Sequence, residues 1–287
     1  MFPIVDVSEW ELDTTVSATG RRAKEWLIEP RERRYALFKL PRYHSAESAA
    51  EKLASEIARV FGILAAEAEL AVRHGQYGVI SYKFLEPGDS LLEGGGLIHA
   101  RDAEFDRFGA RVHSFQVVEE VLAAEEPLLL SRFIEMLVLD AAIGNSDRHH
   151  DNWGVIRSSQ RAPRLAPAYD HGSSLGSHID EAKIEAALVP DSLDRFVRRG
   201  RSRVGWREDG GTRVLRHPDL LGRIGTQYRA EVLAALAKIF DADLAAVSAI
   251  LEQVPDVYAG ARRRLLVGEM IRRRIGLLVE VLRGQDL

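Results

Sequence analysis

The pattern of apolar and polar positions divides the chain into two parts with different predicted elements. The first part holds four short apolar runs between polar turns, which predict strands at 26–28, 35–40, 68–73 and 78–84. Four apolar residues recur at helical spacing between these pairs of strands: Ala49, Leu53, Ile57 and Val60. Gly62 follows where a C-terminal stop belongs, so a helix is predicted over 45–61.

The second part is predicted to be mainly helical. It begins after 86–96, where the sequence EPGDSLLEGGG predicts a linker or a loop beside a hinge. The segment 128–143 is almost continuously apolar, which predicts a helix buried on most of its faces at the centre of a helical lobe. Further helices are predicted at 228–240, 243–253 and 256–283, the last one broken near Gly268.

These elements predict an α+β fold, with a small antiparallel sheet lobe at 1–88 and a mostly helical lobe at 89–287. The chain has no cysteine, which excludes a disulfide framework, a thiol nucleophile and thiolate metal ligands. The net charge of −4 favours neither nucleic acid nor an anionic membrane, so we expect neither as a partner. The N-terminus lacks the pattern of a signal peptide, and a cytoplasmic location is expected. No feature of the sequence predicts an oligomeric state.

Candidate chemistry is concentrated in two segments, GNSDRHHDNWGV at 144–155 and APAYDHGSSLG at 166–176. Asp147 and Asn152 lie five positions apart on a loop that follows the predicted buried helix. Two short strands, 153–156 and 164–168, are able to pair across a turn, and this hairpin would place Asp170 beside Asn152.

Phosphoryl transfer requires this set of side chains. An amide oxygen of Asn152 and a carboxylate of Asp170 are hard oxygen ligands suited to Mg²⁺ bound with ATP. Asp147 is placed to orient an attacking hydroxyl and accept its proton. Protein kinases use the same spacing, with an Asp, an Asn five residues later and a second metal-binding Asp on the next hairpin. The two segments together predict a bilobal protein-kinase-like fold with ATP bound between the lobes.

The order Asp-x-His-x-x-Asn, followed by Tyr-Asp, resembles the HipA family of bacterial serine/threonine kinases. The resemblance implies further nucleotide-binding residues in the first part. Gly20 and Lys24 resemble the phosphate-loop segment of that family, and Lys39 resembles its nucleotide lysine. Glu51 resembles the helix glutamate that pairs with this lysine. Ser17 would line the phosphate loop, and the resemblance makes it a candidate for autophosphorylation.

Two features of the nucleotide site stay open at this point. A lysine that points inward needs a carboxylate partner, and Glu56 competes with Glu51 for Lys39. By analogy with bilobal kinases, the residues that follow the last strand of the sheet are expected to line the nucleotide: Lys83, Phe84, Leu85 and Glu86.

The histidines beside these acids have two interpretations. His149, His150 and Asp151 suggest a transition-metal site, which would make the protein a metal-dependent hydrolase. Adjacent histidines rarely reach one ion, so His149 is interpreted as a residue that shapes the loop beside the nucleotide. His171 is expected near the metal without being a ligand.

The resemblance makes a serine or threonine of a protein the first candidate for the phosphate acceptor. The Asp-Arg-His-x-x-Asn form is also similar to phosphatidylinositol 3- and 4-kinases, so a lipid or another small molecule is the alternative. A nucleotide-binding pseudokinase is a third hypothesis. Arginines cluster at 198–207 and 262–274, and a solvated surface is favoured there over a site for an acidic partner.

Overall fold

Six strands near the N-terminus form one sheet in a computed structural model that describes residues 1–14, 24–42, 45–106, 113–126 and 128–285. The strands are β1 (Val5–Asp6), β2 (Glu11–Leu12), β3 (Lys24–Ile28), β4 (Tyr35–Lys39), β5 (Ala68–Arg73) and β6 (Gln76–Tyr82). Their order across the sheet is β1-β5-β6-β4-β3-β2, and all neighbours are antiparallel except β1 and β5. The predicted hairpin of β3 and β4 and the predicted antiparallel sheet are both confirmed.

Helix α1 (Glu47–Val60) packs against β5 and β6, as its apolar spacing predicts. Leu53 and Ile57 are buried on its inner face. The chain leaves the helix through Gly62, whose φ of +62° is a left-handed conformation that favours glycine. This helix brings Glu51, in its second turn, to the end of β4.

The remaining chain is mostly helical. Its helices are α2 (Gly94–Arg101), α3 (Phe115–Glu125), α4 (Leu129–Ile143), α5 (Ile184–Leu188), α6 (Pro190–Arg198), α7 (His217–Gly225), α8 (Arg229–Phe240), α9 (Leu244–Glu252) and α10 (Ala261–Gln285). Helix α4 is buried on most of its faces and packs against α3, α7, α8 and α10, which confirms its central place. The short strands are β7 (Asp89–Glu93), β8 (His113–Ser114), β9 (Gly154–Ser158), β10 (Arg164–Leu165), β11 (Val204–Glu208) and β12 (Gly211–Arg213). Among the described residues, no helix is long and apolar enough to span a membrane.

The prediction of a linker at 86–96 is wrong. Strand β7 pairs antiparallel with β9 from Asp89 opposite Ser158 to Glu93 opposite Gly154, and α2 begins at once after it. The glycines permit close packing here. A Cβ on Gly94 would overlap the indole of Trp153, so this position requires glycine for space.

The predicted break near Gly268 is also wrong, because α10 is continuous from Ala261 to Gln285. A Cβ on Gly268 would lie 3.2 Å from Leu251 Cδ1, so the glycine allows α9 to approach α10. The arginines of this helix do not all form a solvated surface, since Arg263 and Arg274 are buried.

Candidate active site

Lys39, the last residue of β4, links three elements through its ammonium group. Its Nζ lies 3.2 Å from Oε1 of Glu51 on α1 and 3.0 Å from Oδ1 of Asp170, which follows β10. Glu56 does not compete for it, because that carboxylate pairs with Lys52 at 2.6 Å. The structure therefore joins the sheet, α1 and the segment after β10 at one cation.

Burial and the neighbouring charges together determine how the pKa values of Lys39 and Glu51 shift. Burial by itself would lower the pKa of Lys39, but the carboxylates of Glu51 and Asp170 outweigh that effect and raise the pKa above its usual value. Burial raises the pKa of Glu51, and the charge of Lys39 opposes the rise. With all three groups ionised, the site has one more negative charge than positive, which suits a bound cation.

The loop after α4 is held by bonds between its own side chains and main chain. Helix α4 ends at Gly144, which has φ +67°, and the main-chain N–H of Asp147 donates to Oδ1 of Asn145 at 3.1 Å. The Nδ2 group of Asn152 donates to the carbonyl oxygen of Asp147 at 2.8 Å. Because the amide nitrogen of Asn152 is used in this way, its Oδ1 atom is the one left to face a cation.

Arg148 is completely buried and connects the loop to its surroundings. Its guanidinium makes two bonds to the carboxylate of Asp140 on α4, at 2.8 and 2.9 Å. Its Nη1 donates to the carbonyl oxygens of both Asn152 and Tyr169, at 2.6 and 2.8 Å. A single nitrogen that binds both carbonyls requires the loop and the residue before Asp170 to lie side by side. This juxtaposition is the one that the predicted hairpin required.

The sequence analysis did not identify Arg148 or Asp140 as functional residues. A signal was nevertheless present, because Asp140 is the one charged residue in the apolar stretch 136–143 at the end of α4, and a buried carboxylate requires a cation. Arg148 follows eight residues later and supplies that cation.

Asp170 has a backbone conformation that costs energy for a residue other than glycine. Its φ is +59°, in the left-handed region, and its side chain is 42% exposed. Strain of this kind persists where the surrounding structure determines the position, and it is concentrated at functional sites. The neighbouring Ser173 hydroxyl donates to Oδ2 of Asp147 at 3.4 Å, which brings the two acidic segments together.

His171 follows Asp170 directly in the chain, and its side chain is buried. Its Nε2 accepts a hydrogen bond from Nη2 of Arg148 at 3.2 Å. Burial, with the positive charge of Arg148, holds the pKa of His171 well below its usual value, so the ring is neutral. That nitrogen is consequently not available to a metal, in agreement with the expected place of His171.

His149, His150 and Asp151 have ligand atoms that all lie within 4.8 Å of one another. His149 Nδ1 accepts from the N–H of Asp151 at 3.2 Å, and His150 Nδ1 lies 3.0 Å from Oδ1 of Asp151. The His150 ring is buried and meets Phe105 edge to face. Both rings therefore stabilise the turn of the loop, and we do not interpret the three residues as a transition-metal site.

Two of the residues expected at the nucleotide have side chains engaged elsewhere. Lys83 donates its N–H to the carbonyl of Tyr35 at 2.8 Å, and its Nζ lies 5.0 Å from the centre of that ring. The carboxylate of Glu86 pairs with Arg161 at 2.7 Å. These contacts tie the end of β6 to β4 and to the β9–β10 turn.

Phe84 and Leu85 lie between them and differ in their surroundings. The ring of Phe84 stacks on Tyr169 with the centroids 5.6 Å apart, so it contacts the residue before Asp170. In the described part of the chain, the main-chain groups of Phe84 and Leu85 have no hydrogen-bond partner. This short stretch of backbone is the part of 83–86 that is able to bond a ligand.

Of the residues assigned to the phosphate loop, Ser17 and Gly20 lie outside the described residues. Lys24 is the first residue of β3, so it begins a strand where the sequence analysis placed it in a loop. It is directly opposite Lys39 in the β3–β4 register. Side chains of directly opposed residues in antiparallel strands point to the same face, so the structure brings the two lysines to one side of the sheet.

A sheet lobe with a buried lysine–glutamate pair, joined to a helical lobe with an acidic loop, defines the protein-kinase-like fold class. The crystal structure of the proinflammatory kinase CtkA of Helicobacter pylori superimposes with a TM-score of 0.84 at 21% identity, over 99% of this chain and 98% of that one. HipA of Shewanella oneidensis MR-1, solved with HipB and its operator DNA, gives a TM-score of 0.62 at 14% identity, over 95% of this chain and 67% of that one. The predicted bilobal fold is confirmed.

The sequence model of the HipA-like C-terminal domain matches residues 16–201, so the chain belongs to that family. The serine/threonine-protein kinase CtkA of Helicobacter pylori strain J99 is 38% identical over 65 residues, which are 22% of this chain and 20% of CtkA. The putative kinase Y4dM of Sinorhizobium fredii is 38% identical over 90 residues, 28% of this chain and 22% of Y4dM. The matched segments thus span about a fifth of the length of these relatives. The resemblance found in the motifs is confirmed.

Proposed function

We propose that this protein is an ATP-dependent kinase that transfers the γ-phosphate to the hydroxyl group of a serine or threonine in a protein. The observation that supports it best is the contact of Lys39 with both Glu51 and Asp170. Protein kinases require a lysine aligned by a helix glutamate and an aspartate that holds the metal, both in place at once. The name of the relative CtkA, a serine/threonine-protein kinase, agrees with this choice.

Each acidic-site residue receives a separate role in this proposal. Asp147 orients the acceptor hydroxyl and accepts its proton, while Asn152 and Asp170 hold Mg²⁺ through an amide oxygen and a carboxylate oxygen. When bound, Mg²⁺ neutralises charge on the phosphates. Lys39 contacts the α- and β-phosphates and is aligned by Glu51.

The sheet lobe is proposed to hold the rest of the nucleotide. The free main-chain groups of Phe84 and Leu85 are suited to bond the adenine, with the Phe84 ring against the base. Lys24, on the same face as Lys39, is suited to contact the phosphates. Ser17 and Gly20 remain candidates for the same loop by family resemblance.

The choice of a protein serine or threonine as acceptor rests on the family resemblance. A lipid or other small molecule is the alternative, from the similarity of the motif to phosphatidylinositol kinases. The HipA structure contains HipB and operator DNA. The expectation that this chain has no nucleic-acid partner therefore stays a prediction.

The test is incubation with γ-labelled ATP and Mg²⁺, with and without host-cell lysate, followed by identification of the labelled species. The variant Asp170→Asn is expected to lose at least about 100-fold in rate, because it removes a charged metal ligand. Asp256→Asn is the matched control, since its side chain is 82% exposed and pairs with Arg264 on α10. Retained activity in Asp170→Asn would refute the site, and ATP binding without any transfer would favour the pseudokinase hypothesis.

A further inference from the structure

A cavity of about 770 Å³ opens beside the loop that carries Asp147. Gly144 and Ser146 form one of its walls, and Ser146 precedes Asp147 directly. The other walls come from α6, the segment after it, and α10. Five arginines line the cavity: Arg195, Arg199, Arg201, Arg203 and Arg274. The described lining includes no aspartate or glutamate.

Arg274 also lines the cavity, although it is only 7% exposed. Its guanidinium packs against two glycines, and a Cβ on Gly200 would lie 2.7 Å from its Nη1, while one on Gly144 would overlap it. No carboxylate or hydrogen-bond acceptor in the described part of the chain pairs with it. Arg263 on the same helix is also buried, at 3% exposed, and it pairs with Glu181 at 2.8 Å. Arg274 is therefore a buried cation whose partner is not supplied by these residues.

The groups packed around Arg274 do not offset its charge. Burial lowers the pKa of Arg274 to about 10, so the guanidinium is still protonated at neutral pH. His217 lies nearby, and burial together with the charge of Arg274 lowers the pKa of His217 to about 3, so its ring is neutral. An unpaired buried charge is costly, and an anion that enters the cavity would remove that cost.

We propose that this cavity binds a negatively charged side chain, a carboxylate or a phosphoryl group, of the polypeptide that is phosphorylated. Its role as an acceptor site rests on the kinase activity proposed above, whereas its affinity for anions does not. Gly144 is three residues from Asp147, at most about 11 Å along the chain. The anionic residue should accordingly lie within about three positions of the acceptor serine or threonine.

Two features favour a peptide over an isolated anion. The volume accommodates several residues, and the exposed guanidiniums of Arg195, Arg199 and Arg201 extend the positive surface beyond Arg274. Guanidinium groups bind carboxylates and phosphates through two parallel hydrogen bonds, so they fit either anionic side chain.

The test measures peptide binding without ATP, by fluorescence anisotropy of labelled alanine-rich peptides with a central serine. Glutamine, glutamate or phosphoserine is moved from three positions before the serine to three after it. We expect the phosphoserine and glutamate peptides to bind and the glutamine peptide to bind at least about tenfold more weakly. Arg274→Gln should weaken binding of the phosphoserine peptide by at least about tenfold, and Arg274→Lys should weaken it by less.

Variants at the rim protect the test from a folding failure at Arg274. Arg199→Gln, at an exposed position of the cavity, should weaken binding a few-fold. Arg198→Gln is the matched control, because Arg198 is the preceding residue, lies outside the cavity and pairs with Glu280 at 3.7 Å. It should bind like the wild type. Equal affinity for the glutamine and the charged peptides would overturn the proposal. Wild-type affinity for the phosphoserine peptide in both Arg199→Gln and a folded Arg274→Gln would overturn it as well.

Competition with inorganic phosphate separates a peptide site from a site for the free ion. If phosphate binds as tightly as the phosphoserine peptide, and the position of the phosphoserine has no effect, the assignment to a polypeptide is overturned. If the peptides bind as expected and no phosphate is transferred to any acceptor, the proposed kinase activity fails while the anion cavity stands. In an active enzyme, Arg274→Gln should raise KM for the glutamate peptide and change kcat little.

Discussion

Replacing Arg148 by methionine would remove the cation that joins the acidic loop to α4 and to the segment after β10. The side chains of Arg148 and Asp140 are each 1% exposed and share two hydrogen bonds. Removing one partner of a buried pair costs about 3–5 kcal/mol, because the other charge stays buried. The carbonyls of Asn152 and Tyr169 also lose their donor, at about 1–3 kcal/mol each. We expect the free energy of unfolding to fall by at least about 4 kcal/mol.

Urea unfolding followed by tryptophan fluorescence measures this loss, with the buried Trp153 next to the loop as a reporter. Arg132→Met on α4 is the control, because Arg132 is 61% exposed in its pair with Glu135 and should contribute less than about 1 kcal/mol. The double variant Asp140→Leu with Arg148→Met should lose less free energy of unfolding than Arg148→Met alone, because it leaves no unpaired carboxylate. A loss below about 1 kcal/mol in Arg148→Met would refute the assigned role of Arg148. A loss in the double variant equal to the sum of the losses in the two single variants would refute it too.

Two further predictions concern stability. Burial lowers the pKa of His113 and of His217 to about 3, so both rings stay neutral in the folded protein while the unfolded chain binds protons below about pH 6.5. The free energy of unfolding should be highest above that pH and should fall as the pH decreases, by about 2 kcal/mol per ring at pH 5. Urea unfolding at pH 5, 6 and 7 measures this fall. A free energy that does not change with pH would contradict neutral buried rings. Gly94→Ala should lower the free energy of unfolding by about 1–3 kcal/mol, because its Cβ overlaps Trp153. In the same assay Gly276→Ala, in open space on α10, should raise it by about 0.5–1 kcal/mol, and equal effects at both glycines would show the reasoning to be wrong.

The elements that the sequence predicted correctly depend on neighbours within a few residues. The β3–β4 hairpin, α1 and α4 are of this kind, because turn residues and helical spacing are local signals. The segment 86–96 was predicted wrongly because glycines also occur where two elements pack closely, and its partner strand β9 lies far along the chain. The predicted break near Gly268 was wrong for the same reason, since Leu251 on α9 packs close beside this glycine.

The sequence by itself determined which chemical groups the candidate site contains. Asp147, Asn152 and Asp170 were predicted from the spacing that protein kinases share, because a loop and a short hairpin fix their order and their approximate proximity. Only the tertiary structure decided that Glu51 pairs with Lys39, since either carboxylate of one helix was available until that helix packed on the sheet. Arg274 likewise reaches the loop from a helix about 130 residues further on. Contacts between distant elements depend on how their faces pack, and spacing along the chain does not specify that packing.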